Sequence, residues 1–227
     1  MPIGSMAELE ERIQELGFLP FFKNRIKGFS ISEISHIWWP NEDEDGPWEW
    51  KGPLIREGNV AYGKFFNRKA GYVSLEWLPD FINYRRSKHL APNDDAAGLD
   101  ELILQTVSEE GSVTAQQIRD VLGIGRRRRR KADDLVDTSL QDVKISLDPI
   151  LTRLMMEGRV VASDFIYNID RNGNPYGWGI AKYSTPEHLY GSLKVDRTPA
   201  ESRDLILRHL SKVLPATKRD ERMRFIR

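Results

Sequence analysis

The sequence contains no cysteine, so neither a disulfide framework nor a thiolate-held metal is open to this chain of 227 residues. It has no long apolar run either: its longest are a handful of residues, against the ~20 that a bilayer-crossing helix needs. The N-terminus lacks a basic-then-apolar signal pattern. Histidines are few, and His36, His89, His188 and His209 share no paired or helical metal spacing, so no metal site is expected. No G-x-x-x-x-G-K-[ST] loop, no G-x-G-x-x-G after a strand and no G-x-S-x-G elbow occurs, which argues against ATP, dinucleotide and serine-hydrolase chemistry and leaves no cofactor implied. Together these absences point to a soluble chain of a reducing compartment, with a cytoplasmic location expected and no membrane partner.

What is present suffices for folding. Hydrophobic residues make up 40% and aromatics 10%, enough to fill a core. The formal net charge of zero conceals an asymmetry: residues 1–98 carry 12 basic and 15 acidic side chains, residues 99–227 carry 22 and 19. The second part is therefore the candidate face for a polyanion.

Ser5 to Glu8 has capping-box form and opens an amphipathic helix with Leu9, Ile13 and Leu16 on one face and Gly17 at its end. After the apolar "GFLPFF" the chain reads as loop until "NVAYGKFFNRKAGYVSLEW", whose β-rich runs flank a turn at Asn67-Arg68-Lys69 and predict a hairpin. "EWLPDFINYRR" predicts a short helix with Pro79 in its first turn. The small, polar "KHLAPNDDAAG", residues 88–98, sets a boundary between an N-terminal α+β domain (1–95) and a second domain (96–192).

The second part reads as helix, short strand, helix, helix, hairpin. Leu99, Leu102, Ile103, Thr106 and Val107 repeat at helical spacing; Ser112-Val113 forms a brief strand; Thr114 to Gln117 opens a helix with Ile118, Val121 and Leu122; Ser146 caps a third helix with Leu147, Ile150, Leu151, Leu154 and Met155. "RVVASDFIYNID" and "PYGWGIAKYS" are strands joined through Arg171-Asn172-Gly173-Asn174, an Asn-Gly hairpin turn. That order predicts an α+β fold holding a winged helix, a helix-turn-helix variant. A tail (193–227) follows, with a capping box from Thr198 to Glu201, a helix at 199–214 and the basic terminus "KRDERMRFIR".

Two stretches carry candidate chemistry. In "GRRRRRKADD" the guanidinium groups of Arg126, Arg127, Arg128, Arg129 and Arg130, with Lys131, can grip phosphates through paired donors and release condensed counterions. Their place between the second and third helices makes DNA the expected partner, with Lys144, Arg153, Arg171, Asn172 and Asn174 as further nucleic-acid contacts; a solvated loop is the plainer alternative. In "HIWWPNEDEDGPWEWK" the indoles of Trp48 and Trp50 are candidates for stacking on a base, and Glu49, with Glu76 in "LEW", is a candidate catalytic carboxylate whose aromatic surroundings could raise its pKa. The competing reading makes these tryptophans core anchors.

"DGPWEWKGPLIREGNVAYGKFFNRKAGYVSLEWLPDFINYRR" (Asp45–Arg86) and "NGNPYGWGIAKYSTPEHLYG" (Asn172–Gly191) resemble the small bacterial proteins labelled AlkZ-related, distant relatives of the AlkZ-like winged-helix DNA glycosylases. The resemblance spans most of residues 8–191 and leaves out the tail after Gly191. It implies winged-helix architecture, DNA as partner and a DNA-repair setting; for the larger enzymes it implies excision of alkylated bases or crosslinks. Those enzymes use a glutamine, an apolar residue and a second glutamine or an aspartate, and no such triplet occurs here: Gln116-Gln117 are adjacent and Gln141-Asp142 lacks the spacer. Three readings stay open, a DNA-binding protein, a glycosylase and a winged-helix scaffold for protein partners.

Overall fold

The computed structural model describes residues 2–38, 45–88, 98–124, 146–173 and 175–227. Ser5 Oγ accepts the Glu8 N–H at 3.2 Å and opens α1 (Met6–Leu16), which ends at Gly17. β1 (Phe18–Pro20) and the short α2 (Ile31–Ile34) follow. Next comes α3 (Pro47–Glu57), where the sequence reads as loop. Gly52 and Pro53 conceal this helix, since glycine loosens a helix interior and proline removes the hydrogen bond to the carbonyl four residues back. It forms nonetheless, because Pro47 starts it, the Gly46 N–H donates to Glu49 Oε2 at 3.1 Å, and Trp50, Leu54 and Ile55 are buried beneath it.

β2 (Val60–Phe66) and β3 (Lys69–Ser74) form the expected hairpin, with Asn67 and Arg68 both at left-handed φ (51° and 63°), as a two-residue turn of the primed type requires. α4 (Leu78–Arg86) carries Pro79 in its first turn. The second half follows the expected order: α5 (Leu99–Glu110), β4 (Val113–Thr114), α6 (Ala115–Leu122), α7 (Leu147–Met156), β5 (Val161–Ile169) and β6 (Pro175–Ser184). α8 (Pro186–Tyr190), α9 (Pro199–Val213) and α10 (Arg219–Phe225) complete the chain. α10 forms where the sequence suggests only a basic terminus. Its one-sided burial of Phe225, against the planar stack of Phe66 at 4.7 Å, supplies the reason. Among the described residues the fold is thus mixed α and β, with ten helices and one antiparallel sheet.

The two hairpins do not form separate sheets. The strand order is β1-β3-β2-β5-β6-β4, so the two hairpins form one six-stranded sheet, joined where Tyr62 of β2 pairs with Ala162 of β5. The proposed boundary at 88–98 lies mostly outside the described residues, and the sheet runs past it. Alternate strand residues serve two cores: Phe18, Ala61, Phe65, Val73 and Val161 face α4, α9 and α10, whereas Leu19, Val60, Tyr62, Tyr72 and Ala162 face α1 and α3. Coverage on both faces explains why these strands read as nearly unbroken apolar runs. At Gly71 three strands crowd together: a Cβ there would sit 2.6 Å from the Phe66 ring and 2.8 Å from the Leu19 carbonyl. A third core lies among α5, α6 and α7, with Val113 and Val160.

The tail is fastened by a polar network. Asp80 of α4, 4% exposed, accepts both a paired grip from Arg197 (2.9 and 2.8 Å) and the Ser202 hydroxyl (2.6 Å), while Asn83 donates to the Arg197 carbonyl and to Ser202. Burial pushes the Asp80 carboxyl up, but the hydrogen bonds from Arg197 and Ser202 and the guanidinium charge outweigh it and hold the group below its usual range. A carboxylate held low in the folded state stabilises the fold above the unfolded-state value, and that contribution disappears as pH falls through the folded value. Asp80→Ala is expected to lower the free energy of unfolding in urea at neutral pH by about 2 kcal/mol. The gap between variant and parent should then close in acid, below the ordinary carboxylate range.

Candidate nucleic-acid interface

The β5–β6 hairpin starts inside the sheet and leaves it. Val161 and Ala162 are buried, and burial fades along β5 until Ile166 and Ile169 stand 42% and 58% exposed, with Ile180 of β6 at 42%. At the tip, Asp170 shapes the turn, its Oδ1 accepting the Asn172 N–H at 2.8 Å and its carbonyl accepting the Gly173 N–H at 3.1 Å. This leaves Arg171 and Asn172 exposed at the far end of a projecting two-stranded arm. Asn174 lies outside the described residues. So do Arg126, Arg127, Arg128, Arg129, Arg130, Lys131 and Lys144, although both ends of their segment are placed. Ile124, buried, donates its N–H to the Arg119 carbonyl, and Ser146 starts α7.

α7 itself does not present a cationic face. Leu147, Ile150, Leu151, Leu154 and Met155 are buried, Thr152 as well, and the helix packs on β2. Its one basic residue, Arg153, donates from Nη2 to both carboxylate oxygens of Asp100 of α5, with both side chains largely covered. Asp148 in its first turn takes the Lys64 ammonium at 2.7 Å. Arg153, nominated from the sequence as a nucleic-acid contact, thus joins α7 to α5.

Where α3 meets β5, the sequence-nominated aromatics and acid come together around a lysine that sequence reasoning overlooked. Trp48 and Trp50 belong to the core beside α1 and α3; Trp50 is 7% exposed, and Trp48 packs edge-on against Phe21 (5.0 Å), Trp38 (5.6 Å) and Phe22 (5.9 Å). Both indoles thus do core work here. Glu49 is half-buried, and one of its oxygens caps α3 through Gly46. Lys51 is 6% exposed, its ammonium held over the Phe165 ring at 4.4 Å and the Trp48 ring at 5.0 Å. Desolvation lowers the Lys51 pKa, against an opposing pull from Glu49. Alongside, Arg56 donates to Asp164 at 2.7 Å and ties the helix to the bulged start of β5. Tyr167, on the same strand, has its hydroxyl pushed up first by burial and then by the charge of Glu49.

Glu76 sits apart from this group, exposed on the turn before α4, next to a Trp77 that stacks on His209 at 4.2 Å in the opposite core. The two nominated carboxylates are thus not brought into one pocket. Three clefts, of about 580 Å³ beside Arg86, Arg159 and Glu187, about 470 Å³ beside α10 and about 160 Å³ beside Arg85 and Lys88, have linings that do not include Trp48, Glu49 or Trp50. Among the described residues no group of three or more His, Asp or Glu could hold a metal ion, and no helix is long and apolar enough to cross a membrane.

The only signal for Lys51 in the sequence is its place one turn beyond Gly46-Pro47, visible once α3 is known to be a helix. Because folding lowers the affinity of this amine for its proton, the unfolded chain binds more protons between the folded value and the ordinary lysine value. Stability therefore rises with pH across that alkaline window. Replacing a buried charge that forms no ion pair among the described residues by an apolar side chain of similar length removes the desolvation penalty: Lys51→Met should raise stability at neutral pH by about 1 kcal/mol in denaturant titrations. The variant should also flatten the alkaline rise.

No curated protein and no solved structure matches the chain. A family model described as AlkZ related matches residues 3–227. The match takes in the tail with α9 and α10, which the two quoted sequence blocks had left outside the resemblance, and agrees with the way that tail is bound to α4 and β2. On this match along nearly its whole length, the chain belongs to the AlkZ-related family.

Proposed function

We propose that this chain is a DNA-binding protein whose second half acts as a winged helix. The observation that carries this reading is the β5–β6 arm, which outruns the core and ends in an exposed Arg171 and Asn172. The preceding order of α5, β4, α6 and α7, with β4 paired to β6 through Val113–Tyr183 and Thr114–Lys182, supports the winged-helix assignment. Membership of a family linked with DNA glycosylases favours DNA over other polyanions. The arm tip, with Asn174, and the segment holding Arg126 to Lys131 and Lys144 grip the duplex backbone. Such contacts position a protein without reading sequence. Because α7 is nearly enclosed, binding in this protein relies on the arm and the basic segment more than on a helix laid in the groove.

Base excision at Glu49 or Glu76 is the alternative, and it has less support. One oxygen of Glu49 caps a helix, Glu76 stands alone on a turn, and the glutamine motif of the larger enzymes is missing.

Fluorescence anisotropy with a labelled duplex tests the reading. Affinity should fall by orders of magnitude between about 50 and about 200 mM salt, and changing Arg126–Arg130 together to Ser should reduce the slope of log affinity against log salt by up to about 4. Arg171→Ala should reduce that slope by roughly 1. Unchanged affinity and slope in both variants would rule out this mode of binding and leave the protein-scaffold reading. Release of a base from alkylated duplex, abolished by Glu49→Gln, would instead establish the enzyme.

A further inference from the structure

A second charged feature lies away from the projecting arm. Between the β2–β3 turn, the loop after β1 and helix α10 opens a cleft of about 470 Å³. Four cations line it: Lys23, Arg25, Lys69 and Arg224, all exposed. Among the described residues Lys23, Arg25 and Arg224 form no ion pair, and Lys69 donates only to the Lys23 carbonyl, at 3.1 Å. The one acid in the lining, Glu221, has an oxygen committed to the Lys218 N–H at 3.1 Å, as a helix cap. Arg68, exposed at the same turn, adds to the field.

The floor differs from the rim. It is apolar, made by Ile26, Phe66 and Phe225, whose two rings are stacked on each other at 4.7 Å and backed by Phe29. Asn67 also lines the cleft; its left-handed φ of 51° holds it at the turn, and its amide has no partner among the described residues. Asn24, in contrast, spends its amide on the Phe29 carbonyl and the Ile26 N–H.

We infer that this cleft binds one nucleotide unit, its phosphate among Lys23, Arg25, Lys69 and Arg224 and its base against the Ile26–Phe66–Phe225 floor within reach of the Asn67 amide. Unpaired cations crowded around an apolar, aromatic-lined recess match a ligand that is anionic at one end and flat and aromatic at the other. That is the combination by which single-stranded nucleic acid is held. An inorganic anion would leave the floor unused, and a purely apolar ligand would leave four charges uncompensated. The volume lies in the range of small-ligand pockets. The shared chemistry admits two sources, a free nucleotide or a unit of single strand. The inference rests on the cleft alone, so it stands whether or not the arm grips duplex.

The test is anisotropy of a short labelled oligothymidylate with the full chain, competed by thymidine monophosphate. The double variant Lys69→Ala/Arg224→Ala should weaken strand binding by at least about tenfold. A control losing the same charge on the outer face of α9, Arg208→Ala/Lys212→Ala, should change it by less than about twofold, and both variants should keep the parent melting temperature. Displacement of the strand by equimolar monophosphate assigns the cleft to the free nucleotide; displacement only in large excess assigns it to the strand. Equal effects of the two double variants, or none from the cleft variant, would overturn the inference. A parent chain that ignores duplex while the cleft variant still loses the strand would end the arm-based reading and keep this one.

Discussion

The pairing of Tyr62 with Ala162 makes one structure out of two hairpins. Without that contact, β1, β2 and β3 would form a small sheet with an open edge, and β5, β6 and β4 another; each would expose a row of unpaired backbone groups. With it, the strands continue into one sheet, α7 is pressed onto β2, and the root of the projecting arm becomes part of a core covered on both faces. A rigid root is what allows the rest of β5 and β6 to extend into solvent and still hold their tip in place.

The same constraint redistributes the charges. Basic residues near the sheet are largely consumed by structure: Lys64 by Asp148, Arg153 by Asp100, Arg56 by Asp164, Arg197 by Asp80, and Arg85, buried over the Phe81 ring, by the Phe65 carbonyl. What remains unpaired among the described residues is therefore informative. Beside α10, Lys23, Arg25, Lys69 and Arg224 gather around one cleft, and Arg171 stands exposed at the arm tip. A chain of zero formal charge thus presents a local positive field at the cleft, where four cations face one lining acid, Glu221, that also caps α10.

Local signals were readable in the sequence where one residue type has one geometric job. Ser5, Thr114 and Thr198 each cap the helix that their spacing announces, and Asn67-Arg68 makes the tight turn expected between two β-rich runs. Failures occurred where a distant partner decides. α3 was hidden by Gly52 and Pro53, and it exists because β2 and β5 give its apolar side a place to pack. Arg153 looks like a phosphate contact until Asp100, 53 positions away, is seen to hold it. The fusion of the two hairpins depends on a single register with no sequence signature. The basic segment at 126–131, prominent in the sequence, lies outside the described residues.

Hydrogen exchange of the full chain with and without a DNA duplex tests the central claim most directly. Binding through the arm predicts slowed exchange of the backbone between residues 166 and 180, with α1 and α9 unchanged. Saturating duplex that protects other elements and leaves the arm exchanging at its free rate would contradict it.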